Sequence, residues 1–259
     1  MTTLANQAGC LNTAIEVDEQ MPAWSVQPCG DRCLVVVFDE RDVARSNAAA
    51  CELARLLIEA RLPGVSDIVP SMAGVGVHYD PATLVLNRPS AHAWDILARQ
   101  VEAVIGEVRI TGGTATREVV IPVCYGGEYG EDLEDVARQC KLTQDEVIAI
   151  HSGSSVSVLM LGFAPGHPYI GMFDKRLQIG RRTTPRTAVP RGSIGLANRQ
   201  TVIYPSVIPG GWSLIGRTPL SMFSAHREIP CLLNAGDRIR FKPITREEFI
   251  ALEAQEAQP

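Results

Sequence analysis

Residues 160–171 read MLGFAPGHPYIG, residues 181–205 RRTTPRTAVPRGSIGLANRQTVIYP, and residues 206–220 SVIPGGWSLIGRTPL. Short apolar runs alternate with Pro and Gly, so no run is long enough for a helix and each is the length of a strand. Upstream, VSVLMLGF (156–163) is another such run; downstream come PLSMF and DRIRFKPI, where Ile239 and Phe241 alternate with Arg238, Arg240 and Lys242. Many short strands with frequent turn residues predict a closed or nearly closed β-barrel. Large aromatics beside so many glycines and prolines also suit the wall of a small-molecule pocket, where exposed amides and rigid turns are useful.

Working toward the N-terminus, EVVIPVCY (118–125) is a strand and Tyr125-Gly-Gly-Glu128 a turn. Leu133, Val136, Ala137 and Cys140 mark one face of a short helix. Thr143 and Glu146 form a capping box that opens the next helix. That helix is expected to end at His151-Ser152-Gly153, with the glycine in the left-handed conformation.

Before Gly112-Gly113 the grammar differs. A strand run after Trp24, a helix over 42–61, two short strands in SDIVPSMAGVGVHYDP, a helix over 91–105 and a strand starting at Val108-Arg-Ile110 give the order strand, helix, strand, strand, helix, strand. That order resembles a split βαβ, or ferredoxin-like, unit. The expected organisation is an N-terminal extension over 1–22, an α+β domain over 23–112, a β-barrel domain over 113–245 and a helical tail over 246–259.

Composition narrows the function. The chain has 259 residues, 46% hydrophobic and 20% charged, with a formal charge of -5. That balance gives no basic surface for nucleic acid. The first 22 residues lack a basic start and an apolar core, and no later stretch approaches the ~18 apolar residues of a membrane span, so the expected location is cytoplasmic. Seven scattered cysteines fit a reducing compartment. Cys29 and Cys33 read as strand residues, and no metal site is expected.

No phosphate loop, nucleophile elbow, zinc-protease helix or complete dinucleotide fingerprint occurs. The candidates for chemistry therefore lie in the Gly/Pro-rich half. Lys175, Arg176, Arg181, Arg182, Arg186 and Arg191 fall in one segment, and guanidinium groups pair with carboxylate or phosphate. Arg186 and Arg217, in proline-bearing turns, are the favoured anion binders and catalytic candidates. His151 stands at a helix C-terminus, where the dipole favours a protonated ring, and is also a catalytic candidate. His167, Tyr169, Gln200, Tyr204, Gly210, Gly211 and Trp212 are the candidate substrate-binding residues; each also has an ordinary structural reading, as core, turn or surface.

The run YGGEYGEDLEDVARQCKLTQDEVIAIHSGSSVSVLMLGFAPGHPYIGMFD, with TPRTAVPRGSIGLANRQTVIYPSVIPGGWSLIGRTPL after it, resembles the allophanate hydrolase subunit 1 family. That family includes the inhibitor of sporulation kinase A and the B-type component of bacterial 5-oxoprolinase. The likeness runs from about Trp24 to Pro243. It implies a ferredoxin-like N-terminal domain, a cyclophilin-like barrel, a homologous subunit 2 of the 5-oxoprolinase C type, and a third subunit. The implied reaction is ATP-dependent ring opening of 5-oxo-L-proline to L-glutamate, with ATP and Mg held in the complex. Alternatives within the resemblance are an allophanate- or urea-type carboxyltransferase role and inhibition of a histidine kinase. Where many members have Phe-Leu-Pro-Gly-Phe-Pro-Tyr, this chain has Phe163-Ala-Pro-Gly-His167-Pro-Tyr169, a departure that points to His167 as a tuner of substrate choice.

Overall fold

The computed structural model describes residues 21–39, 41–86, 91–110 and 117–256. The expected extension, save Met21 and Pro22, and the expected domain junction at 112–113 lie outside these residues.

The chain begins with a hairpin, β1 (Trp24–Pro28) and β2 (Cys33–Phe38), closed by a turn in which Gly30 takes φ +68. Helix α1 (Val43–Ala60) follows, capped by the Asp42 side chain, which accepts from the Arg45 amide. Its Ala49, Ala50, Leu53, Ala54 and Leu57 are buried, spaced by three and four residues as a core-facing stripe requires. Strands β3 (Val65–Ser71) and β4 (Gly74–Tyr79), the short helix α2 (Pro81–Val85) and helix α3 (Ala93–Ile105) complete this half. The sheet order is β1-β2-β4-β3, with every neighbour antiparallel. β2 and β3 flank β4 and are joined by α1.

The expected strand at Val108–Ile110 does not form. The Glu107 and Val108 amides instead bond back to Val104 and Ile105, and Val108 is buried in the core. The edge of β2 that such a strand would take is occupied by β1, so the fourth strand comes from before the unit rather than after it. The β-branched run at 33–38 had no other free partner, because its second edge holds β4.

The second half starts with β5 (Glu118–Tyr125), helices α4 (Leu133–Cys140) and α5 (Gln144–Gly153), and strands β6 (Ser155–Leu161) and β7 (Pro168–Gly171). Then come β8 (Arg186–Val189), β9 (Ser193–Ala197), β10 (Gln200–Ile203), β11 (Ile208–Gly210), β12 (Ser213–Arg217), β13 (Arg238–Pro243) and helix α6 (Arg246–Glu256). Seven strands close a barrel in the order β10-β7-β6-β13-β5-β12-β9, and β8 and β11 form a separate two-stranded sheet. β13 inserts parallel to β5 and antiparallel to β6, so the last strand closes the cylinder. The capping box at Thr143 and Glu146 is present. Gly153, however, is the last residue of α5 and has no positive φ; the end carbonyls of Ile148 and Ile150 accept from the Ser152 and Ser154 hydroxyls instead, and the chain passes extended into β6. Of the apolar residues in α6, Phe249 is buried and Ile250 is half exposed.

The two halves touch. Asn47 on α1 donates from Nδ2 to the Leu159 carbonyl of β6 at 2.7 Å and to the Met72 carbonyl at 3.2 Å. Among the described residues no helix is long and apolar enough to cross a membrane.

Candidate functional site

Period-two alternation divides the barrel strands into two faces. Ile170, Leu196, Ile203 and Ile215 point into the barrel interior with Ile121, Val158, Ile239 and Phe241. Their neighbours Tyr169, Ala197, Val202, Tyr204 and Leu214 point the other way and pack with Val189, Ile208 and Trp212. The β8–β11 sheet therefore covers one outer flank of the barrel, and a cavity of ≈ 240 Å³ opens beside it. Its walls are Phe163, His167, Tyr169, Arg181, Pro185, Tyr204, Pro209, Gly210, Gly211 and Trp212.

The aromatic walls meet at steep angles, His167 tilted against Tyr169 and the other two pairs edge to face. His167 lies 5.1 Å from Tyr169 and 5.4 Å from Tyr204, while Tyr169 and Trp212 are 6.1 Å apart. Phe163, exposed and at φ +73, stands at the mouth 5.4 Å from His167. Gly210 is required by this packing: a Cβ there would overlap the Tyr204 hydroxyl and ring. Gly166, at φ +75, makes the turn that presents His167 and leaves no space for a side chain against Met222 and Phe223.

Two groups in this wall have unspent capacity. His167 is 2% exposed, and its Nδ1 has no hydrogen-bond partner. Burial pushes its pKa down to about 4, so the ring is neutral near pH 7. An orphaned buried nitrogen costs about 1–3 kcal/mol in a folded protein. Arg181 stacks its guanidinium over the Trp212 ring at 5.3 Å and forms no ion pair among the described residues.

Its neighbours are different. Arg182 Nη1 donates to Asp132 Oδ1 at 2.8 Å, and Arg186 grips the same carboxylate with Nη1 and Nη2 at 2.8 and 2.9 Å. Asp132 also accepts from the Leu214 amide at 2.7 Å. Burial opposes the charge on Asp132, yet the Arg186 bond, the Leu214 amide and the two guanidinium charges hold its carboxyl below the usual range.

The residues named from sequence thus separate. His167, Tyr169, Tyr204, Gly210, Gly211 and Trp212 converge on the cavity. Gln200 does not: its Nε2 lies against the Met72 and Met172 sulfurs, where the N-terminal sheet meets the barrel. Arg186 is spent on Asp132, and Arg217 donates from Nε to the Arg191 carbonyl at 2.7 Å; neither lines the cavity. His151 is fully buried inside the barrel, between Phe173 and Phe241, with Tyr125 Oη 2.7 Å from Nδ1 and Thr201 Oγ1 2.9 Å from Nε2. Burial pushes its pKa down to about 3, which overturns the expectation of a protonated ring at the helix end: desolvation outweighs the dipole. Pro185 and Asp132 do not stand out in the sequence, Phe163 enters only through the Phe163–Tyr169 motif, and Arg181 is there only one of a cluster. For Asp132 the only local sign is its place just before a helix, which suggests a cap rather than a partner fifty residues away.

Residues 24–233 match the family described as the carboxyltransferase domain, subdomain C and D. The chain belongs to the carboxyltransferase subdomain C and D family. Within it, the 5-oxoprolinase B subunit of Bacillus subtilis (strain 168) is 36% identical over 230 residues, covering 88% of this chain and 96% of the relative. The protein of that name from Escherichia coli O157:H7 is 36% identical over 220 residues, covering 83% and 93%. Among solved structures, the crystal structure of TTHA0988 superposes with a TM-score of 0.69 at 35% identity. It covers 82% of this chain, which spans only 40% of TTHA0988.

The cavity does not fit ATP with Mg. A triphosphate calls for several converging cations or a loop of amides, whereas among the described residues Arg181 is the one cation in the wall. Among the described residues no three His, Cys, Asp or Glu side chains gather as a metal ligand set.

Proposed function

We propose that this chain is the B-type subunit of an ATP-dependent 5-oxoprolinase and that its outer-flank cavity receives the lactam. The observation that carries the reading is the match along nearly the full length of relatives named as the B subunit of 5-oxoprolinase. The cavity supplies a site of suitable chemistry. 5-Oxo-L-proline is a small ring with one carboxylate and one amide; Arg181 pairs with the carboxylate, the Tyr169 and Trp212 faces hold the ring, and neutral His167 closes the wall behind it. Arg186, Arg217 and His151 have no part in this binding. ATP is held by a partner chain, a homologous subunit 2 or a third subunit, and this chain alone is inactive because the reacting groups come from more than one chain. On the same reading the N-terminal sheet is a ferredoxin-like variant and the barrel is cyclophilin-like.

The test is reconstitution. With all three subunits present, ATP hydrolysis is expected to rise on adding 5-oxo-L-proline and to lose that response when this chain is omitted. Replacing Arg181 with Gln is expected to raise KM for the lactam about tenfold, the worth of one charge-assisted hydrogen bond of about 1.4 kcal/mol, with kcat little changed. A well-formed complex indifferent to the lactam would overturn the assignment and favour a urea-type amide.

A further inference from the structure

Asp132 occupies the N-cap position of α4, where a carboxylate ordinarily accepts from the first-turn amides, yet its side chain makes no such bond. It reaches instead to Arg182, Arg186 and the Leu214 amide, while its own amide donates to the Leu214 carbonyl at 2.9 Å. Each of these partners lies beside a wall of the cavity. Arg182 follows Arg181, Arg186 follows Pro185, and Leu214 comes two residues after Trp212. The Arg182 amide adds a bond of 2.7 Å to the Gly211 carbonyl, so the two segments are joined directly as well as through the carboxylate.

We propose that Asp132 is the positioning residue of the cavity: its buried carboxylate ties residues 181–186 to residues 211–214 and so sets the stance of the Arg181 guanidinium over Trp212. This rests on the reading that the cavity takes an anionic lactam. The same contacts decide which cation meets the ligand. Glu131 Oε2 stands 3.4 Å from Arg186 Nη2, so the charges of Arg182 and Arg186 are balanced by two carboxylates and Arg181 is left to select a ligand with one negative group.

The variant Asp132→Asn keeps shape and an acceptor for Leu214 but turns an NH2 group toward the guanidiniums, breaking the tie without opening a void. In the assembled complex it is expected to raise KM for 5-oxo-L-proline about tenfold while kcat stays within about twofold. A second readout does not depend on turnover. In a background with Trp24 and Trp94 changed to Phe, Trp212 emission is expected to become more quenchable by iodide in Asp132→Asn. Arg182→Gln, which removes one contact at a half-exposed side chain, is expected to move both readouts in the same direction by less.

Unchanged KM and quenching in a folded variant, or a fall in kcat at constant KM, overturns the proposal. Loss of the fold in both variants overturns it too, by making Asp132 a stability residue only. If the unmodified complex shows no response to the lactam, the functional reading fails while Trp212 quenching still decides the role of Asp132.

Discussion

The inside and the outer flank of the barrel each bury a histidine, and they treat it differently. His151 is sandwiched between Phe173 and Phe241 with a hydroxyl on each ring nitrogen. One of those hydroxyls, from Thr201, comes from β10, whose next residue, Val202, faces the outer flank. His167 is almost as deeply buried, packs among aromatics and is also neutral, but one nitrogen is left unpaired. Burial and a depressed pKa are common to both rings and do not tell them apart. Hydrogen-bond satisfaction does, because a closed network has nothing left to offer a ligand.

The same substitution at both sites gives the largest contrast. His151→Phe strands the Tyr125 and Thr201 hydroxyls inside the barrel and is expected to cost about 2–5 kcal/mol, whereas His167→Phe removes an atom that was unpaired and should stay within about 1 kcal/mol. Denaturant titration at neutral pH reads both; equal losses would break the distinction. Next in size, Gly210→Ala drives a methyl into Tyr204 and is expected to cost about 1–3 kcal/mol while distorting the cavity wall. A variant as stable as the parent, with unaltered KM, would show that the β11 backbone yields there.

The smallest effect per step is the pH dependence. Both histidines have folded pKa values below the ordinary 6.5, at about 3 for His151 and about 4 for His167, so the unfolded chain binds the extra protons first on acidification. Their contribution to stability is complete above about pH 6.5 and is lost as pH falls toward those values, at up to ~1.4 kcal/mol per pH unit for each ring. Replacing either histidine by Phe is expected to flatten the slope between about pH 6.5 and 5 by one ring's share. A slope that ignores both changes would mean that carboxylates govern this range.

Several elements are legible in the sequence because their causes are local. The capping box at Thr143 and the alternation of Ile239 and Phe241 in β13 each depend on neighbours in the chain, and each stands where its pattern places it. The aromatic and glycine residues at 167–169, 204 and 210–212 are legible as a pocket wall for a similar reason: bulky rings beside glycine imply close approach. The arginines are not. Sequence favours Arg186 over Arg181 and Arg182 for its proline-bearing turn, yet which of them is free depends on Asp132, about fifty residues upstream. The β1 edge escapes a local reading on the same grounds, since a strand's edge partner is chosen by the whole sheet.

By itself the sequence determined the barrel, the described helices other than α2, the family and most of the cavity's aromatic lining, because period, turn chemistry and motif spacing are properties of short stretches. Only the tertiary structure decided that His151 is sealed among hydroxyls, that Gln200 faces sulfurs, and that Arg181 rather than Arg186 is available to an anion. Those outcomes turn on pairing across large sequence separations, where a charge is spent or left free according to which distant carboxylate the fold brings to it.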